Sequence, residues 1–130
     1  MRLLLDTHIW IWSQLDPDRL SRRVYTALQA EDSEIWLSSI SLWELTVLVE
    51  KGRIELDDHV DAWIERALEA APMREAPVSH SVVRALRFIE TPHRDPADRF
   101  IAATAAVLDL HLITVDGQLK SGKGFSVFPG

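Results

Sequence analysis

Short apolar runs alternate with longer segments of helical spacing along the whole chain. The first run, residues 2–5, is apolar without alternation after Arg2, as is typical of a strand buried on both faces of a parallel sheet. Four more short strands are predicted further on, the last of them at an edge of the sheet: residues 34–38, 73–76, 111–115 and 126–128.

Between these strands, apolar residues recur every three or four positions, which predicts helices with one buried face. The helices are expected in a short segment that contains Trp10 and Trp12, and over residues 20–30, 41–50, 57–71, 79–90 and 95–110. Two helices are expected to bury particular side chains: Val60, Ile64, Ala67 and Leu68 in one, and Val82, Val83, Leu86 and Ile89 in the other.

The regular exchange of strand and helix predicts an α/β sandwich with a mainly parallel sheet of four to five short strands. The chain has 130 residues, 47% of them hydrophobic, which suits a single domain over residues 1–130 with one core. The apolar run at the start stops at Asp6, which is far too short for a signal peptide or a membrane span. A cytoplasmic protein is therefore expected.

Four acids stand beside apolar segments at separated places in the chain: Asp6, Glu44, Asp98 and Asp116. Asp6 and Asp116 follow predicted strands, whereas Glu44 and Asp98 fall in the first turns of predicted helices. In open parallel sheets the ligand pocket lies beyond the carboxyl ends of the strands. The positions therefore predict one carboxylate cluster at that edge of the sheet, and such a cluster needs cations to stay ionised.

Each of these acids also has a purely structural interpretation. Asp6 stands where a helix cap is expected, and Asp116 precedes a glycine in a common turn signal. Glu44 follows Ser41 by three residues, which is the spacing of a capping box. Asp98 stands where the helix dipole favours a carboxylate. The cluster hypothesis depends on the four positions sharing one rim of the sheet.

The absence of cysteine restricts any metal site to oxygen or imidazole ligands, and the acids favour Mg²⁺ or Mn²⁺. Carboxylates of this kind can hold a pair of ions that activate water and stabilise the leaving oxygen of a phosphodiester. The net charge of −6 is weak grounds against nucleic-acid binding, because the four acids contribute much of it. Metal, rather than a broad basic face, would have to carry much of the phosphate affinity.

Four segments of the chain, residues 3–8, 41–45, 93–105 and 112–116, resemble the motifs of PIN-domain ribonucleases. The resemblance is closest to the VapC-type toxins of type II toxin–antitoxin pairs, and it covers nearly the whole chain in order. It implies a PIN-like three-layer α/β/α sandwich and an endoribonuclease that depends on one or two Mg²⁺ or Mn²⁺ ions. It further implies an RNA substrate, a homodimer and a cognate antitoxin that covers the site.

The resemblance also assigns roles to individual residues. Asp6, Glu44 and Asp98 match the core catalytic and metal-binding acids, and Asp116 matches a fourth, more variable one. Thr7 and Thr114 match groups that support the acids. Some nearby residues have two readings: Asp95 belongs to the motif but is better explained as a helix cap, and Arg94 and Arg99 either contact phosphate or solvate a helix start.

Two other classes of protein compete with this interpretation. A phosphatase of the haloacid dehalogenase type would need a second aspartate two residues after Asp6, where His8 stands. A non-catalytic module that uses the PIN fold only to bind another protein is the more serious alternative. It predicts that single substitutions of the acids leave function intact.

Overall fold

Five parallel strands form the sheet in the computed structural model, which describes residues 1–92 and 95–129. The order across the sheet is β3-β2-β1-β4-β5, so the last strand lies at an edge as predicted. At the centre, Leu4 lies opposite Trp36 on one side and Leu112 on the other. The bounds are β1 Arg2–Leu5, β2 Glu34–Ser38, β3 Arg74–Ala76, β4 His111–Ile113 and β5 Ser126–Val127.

Helices lie between successive strands, as parallel pairing requires. Two short 3₁₀ turns, Pro17–Arg19 and Leu86–Phe88, add to the helices of the described chain. The helices are α1 Thr7–Leu15, α2 Arg22–Gln29, α3 Ser39–Glu50, α4 Val60–Ala70, α5 His80–Ala85, α6 Pro96–Leu108 and α7 Gly117–Lys120. None of the described helices is long and apolar enough to span a membrane.

The hydrophobic core has one part on each face of the sheet. Leu3 and Leu5 pack with side chains of α1 to α4, including Trp10 and Trp63. Leu4 points the other way and packs with α5, α6 and α7. This division follows from the alternation of side chains along a strand, and it gives the three layers that the sequence predicts.

Two predicted faces are partly wrong. Leu68 and Val83 were expected inside, yet their side chains are 39% and 47% exposed. In α4 the buried stripe runs through Trp63 and Ala67, four residues apart, and Leu68 is rotated about 100° away from Ala67. In α5 the buried residue is Val82, so its neighbour Val83 faces solvent for the same reason.

The helix over residues 41–50 begins earlier than predicted, at Ser39. β2 runs directly into α3, and the hydroxyl of Ser38 accepts a hydrogen bond from the Ile40 N–H at 3.1 Å. The predicted capping box is therefore wrong, because Ser41 lies inside the helix. Glu44 consequently stands in the second turn of α3 and not in the first.

Candidate active site

Asp6 lies at the carboxyl end of β1, where it caps a helix, as one of its two interpretations predicts. Its Oδ1 accepts a hydrogen bond from the Thr7 N–H at 2.8 Å, which caps α1. Its Oδ2 accepts a hydrogen bond from the Thr114 hydroxyl at 2.7 Å. The carboxylate is buried, and these two bonds fix its orientation between β1 and the end of β4.

Glu44 faces the same region from α3. Its Oε1 is buried and has no hydrogen-bond partner among the described residues. One turn earlier in the helix, the fully buried Ser41 hydroxyl accepts a hydrogen bond from the Thr7 hydroxyl at 2.9 Å. This bond ties the start of α1 to α3 beside the acid. This contact was not predicted from the sequence, in which Ser41 was interpreted as a cap.

Asp98 is placed by the start of α6, as predicted. Asp95 is the N-cap, its Oδ1 accepts a hydrogen bond from the Ala97 N–H at 3.0 Å, and Pro96 takes the first helical position. Asp98 follows in the first turn and is only 8% exposed. Three buried alanines further along allow α6 to lie close to the sheet: Ala102, Ala103 and Ala105.

The three acids form one cluster. One carboxylate oxygen each from Asp6, Glu44 and Asp98 lies within 4.8 Å of the others. Burial raises the pKa of Asp6 and of Glu44, and the hydrogen bond from the Thr114 hydroxyl opposes the shift for Asp6. Burial, reinforced by the charges of the surrounding acids, raises the pKa of Asp98 to about 8. A site that penalises its own negative charge in this way favours a bound cation.

Asp116 lies outside this group of three, next to it. Its Oδ1 accepts a hydrogen bond from the Gln118 N–H at 2.8 Å and caps α7, which begins where a turn was predicted. Its own N–H donates to the Thr114 hydroxyl at 3.0 Å, and that hydroxyl donates in turn to Asp6. The charge of Asp116 contributes to the raised pKa values of Asp6 and Asp98, behind the larger effect of burial.

Three of the other candidate residues can be placed. Thr7 and Thr114 both make hydrogen bonds within the site, consistent with a supporting role. The Arg99 guanidinium donates to the Leu86 carbonyl at 2.9 Å, which joins α6 to the preceding 3₁₀ turn. Arg94 lies outside the described residues.

The donors in the cluster are carboxylate oxygens, the hard ligands that Mg²⁺ and Mn²⁺ prefer. The buried Glu44 Oε1 supports the same assignment, since a buried carboxylate oxygen without a partner is costly. The fold and this cluster thus define an α/β protein with a candidate cation site at the carboxyl edge of its sheet.

Residues 3–123 match the family model described as PIN domain, and the chain therefore belongs to the PIN domain family. It is 35% identical over 120 residues to Ribonuclease VapC22 of Mycobacterium tuberculosis, covering 92% of this chain and 90% of that protein. The predicted family is confirmed.

Solved structures agree with the fold. The chain is similar to a structure of VapBC2 from Rickettsia felis bound to a promoter DNA fragment, with a TM-score of 0.74, 18% identity and 98% of both chains covered. A structure of VapBC-5 from Mycobacterium tuberculosis, a member of the VapBC family of toxin–antitoxin systems, has a TM-score of 0.55 and 25% identity. That match covers 92% of this chain and 89% of the other.

Proposed function

We propose that this chain is the toxin of a bacterial toxin–antitoxin pair and an endoribonuclease that requires Mg²⁺ or Mn²⁺. The 35% identity to a ribonuclease over nearly the whole chain supports the activity. The similarity to chains of VapBC complexes supports a cognate antitoxin as partner. The proposal includes a single PIN domain over residues 1–130 that forms a homodimer.

The observation that carries the proposal is the approach of three carboxylates to within 4.8 Å of one another. Asp6, Glu44 and Asp98 would hold the cation, and Asp116 is the proposed fourth acid. A bound divalent cation would supply positive charge that activates water and stabilises the charge developing on a phosphodiester.

The chain's own residues hold the three acids in position for a cation. The Thr114 hydroxyl occupies one lone pair of the Asp6 carboxylate and leaves others available for a ligand. The bond between Thr7 and Ser41 fixes α1 against α3, so Asp6 and Glu44 keep their spacing. Because Asp98 has a pKa of about 8, it retains a proton at neutral pH until a cation displaces it.

Cleavage of RNA by purified variants tests the assignment. The substitutions Asp6→Asn, Glu44→Gln and Asp98→Asn preserve shape but remove the ligand charge. We expect each to lower the cleavage rate at least roughly 100-fold, because loss of outer partners of a bound metal alone costs 10- to 100-fold. The rate would be measured on total RNA in Mg²⁺, in Mn²⁺ and in EDTA, with 5′ ends sequenced to locate discrete cuts.

Asp109→Asn is the matched control. Asp109 is an exposed acid at the far end of α6, in the left-handed conformation that asparagine also tolerates. Its variant should cleave like the wild type. Loss of cleavage in cluster variants purified in the same way excludes a contaminating ribonuclease. Cleavage that persists in all three cluster variants, or that is unaffected by EDTA, would refute the site. A folded wild type that cleaves no RNA would favour the non-catalytic protein-binding module. Asp116→Asn decides whether the fourth acid takes part.

A further inference from the structure

A row of three side chains leads away from the acid cluster along α1. It consists of His8, Trp12 and Arg19, and we name it the α1 row. The rings of His8 and Trp12 are 5.9 Å apart between centroids, at an interplanar angle of 59°. The Arg19 guanidinium folds back over the Trp12 ring, with Cζ 4.2 Å from its centroid.

The row begins at the site itself. His8 follows the cluster acid Asp6 by two residues and stands in the first turn of α1. Trp12 stands one helical turn further on, since four residues of α-helix advance about 6 Å. Arg19 closes the row from the 3₁₀ turn after α1.

The charge at the end of the row distinguishes it from a similar cluster elsewhere. Arg2 and Arg74 also lie over a tryptophan, Trp36, each with Cζ 5.8 Å from the ring centroid. Both of those arginines pair with Glu34, at 3.4 and 3.8 Å. Arg19 makes no ion pair with any acid in the described part of the chain, and it is exposed.

An exposed guanidinium held over an aromatic ring can bind a phosphate while the ring limits its motion. Aromatic rings in line with such a cation are how proteins hold single-stranded nucleic acid without reading its sequence. The α1 row provides both the aromatic rings and the cation beside the candidate active site. The rings are the half-buried side chains of His8 and Trp12, and the cation is the exposed Arg19.

We propose that the α1 row is a binding subsite for single-stranded RNA adjoining the cleaved bond. A nucleobase stacks on the aromatic part of the row, and the Arg19 guanidinium binds a backbone phosphate beyond it. The inference rests on the proposed function and adds to it the substrate's path, from the acid cluster along α1 towards its carboxyl end.

Binding of a fluorescently labelled single-stranded RNA of about 12 nucleotides tests the row. Titrations in Ca²⁺ at several salt concentrations, with the RNA checked by gel to be intact, give the Kd and its salt dependence. We expect Arg19→Gln to weaken binding about five- to tenfold and to reduce the salt slope by about one. Arg19→Lys, which keeps the charge, should restore the slope. Trp12→Leu should weaken binding with little change in slope.

Arg74→Gln is the matched control, because it removes an exposed arginine from over a tryptophan at the opposite end of the sheet. Its Kd and salt slope should equal those of the wild type. If Arg19→Gln behaves like Arg74→Gln while the wild type binds and cleaves RNA, the row is not an RNA subsite and the proposed function stands. If Arg19→Gln weakens only antitoxin binding, the row is a protein surface. A wild type that neither binds nor cleaves RNA overturns both proposals.

Discussion

Without a bound cation, opposing effects act on the ionisation of the Asp98 carboxyl group. Its place in the first turn of α6 favours the charged carboxylate. Burial opposes the charge, as do the nearby acids Asp6, Asp95, Glu44 and Asp116, and together they raise its pKa to about 8. The opposing contributions dominate, so the residue carries a proton near neutral pH, and a cation that binds there would have to displace it. Cation affinity should therefore increase with pH up to about 8.

The same shift makes the stability of the metal-free chain depend on pH. The folded-state pKa of Asp98 lies above its ordinary value of 3.8, so the folded chain holds more protons between these two values. Stability should therefore fall as the pH rises from about 4 to about 8. Asp98→Asn cannot ionise and should raise the free energy of unfolding at pH 8 by several kcal/mol, since each unit of pKa corresponds to about 1.4 kcal/mol.

Urea unfolding in EDTA at about pH 5 and pH 8 measures the effect. The difference between wild type and Asp98→Asn should be small at the lower pH and large at the higher one. Asp109→Asn, at the exposed end of the same helix, should follow the wild type at both. If the wild type and Asp98→Asn curves shift in parallel with pH, Asp98 does not titrate as described.

At the scale of single elements, the ends of strands and helices determine the site more than their middles do. β2 passes into α3 without a loop, because Ser38 is both the last residue of the strand and the cap of the helix. This early start moves Glu44 into the second turn and leaves Ser41 free to bond with Thr7. The element was predicted correctly, and the error of two residues in its start changed the role assigned to Ser41.

Gly124 lies between α7 and β5, where the backbone conformation and the close approach of the Phe88 carbonyl favour glycine. It has a φ of +99°, and a Cβ there would lie 2.5 Å from the Phe88 carbonyl oxygen. Gly124→Ala should therefore lower the free energy of unfolding by roughly 1–3 kcal/mol, through backbone strain and displacement of the 3₁₀ turn. Thermal or urea unfolding measures this loss.

Gly117 supplies the comparison for that substitution. It begins α7, and a Cβ at this position meets nothing within 4 Å. Gly117→Ala should be neutral or slightly stabilising, because alanine loses less backbone entropy in a helix. Equal losses in the two variants would contradict the account of Gly124.

For the whole molecule, three acids separated by up to about 90 residues in the chain lie together because α1, α3 and α6 meet at one edge of the sheet. An unfolded chain lacks this arrangement, so a cation that binds the cluster should stabilise only the folded state. At a free cation concentration of about 100 times Kd, the gain should be about 2.7 kcal/mol. Thermal unfolding in Mn²⁺, Mg²⁺ and EDTA at constant ionic strength measures it.

Variants distinguish stabilisation by a cation at the cluster from a general effect of salt. Glu44→Gln and Asp98→Asn should lose most of the gain, whereas Asp109→Asn should keep it. If Asp116→Asn loses only part of the stabilisation by the cation, Asp116 is a further ligand. The same gain in all variants would mean that the cation acts elsewhere on the protein.

The sequence by itself determined the class of fold, the five strands and the position of most helices. These features depend on local periodicity and on residues such as Asp95, Pro96 and the glycines, whose effects act within a few positions of the chain. It also indicated all three acids of the cluster, because each stands at or near the end of an element that a parallel sheet brings to one edge.

Only the tertiary structure decided which groups face one another. The bond from Thr7 to Ser41, the contact of Arg99 with the Leu86 carbonyl and the place of Asp116 beside the group of three all depend on distances between separate elements. So do the exposed positions of Leu68 and Val83, because the sheet selects which stripe of each helix is buried. Local patterns specify where an element begins and which residues it carries, but packing against the sheet sets its rotation, and that rotation places the side chains.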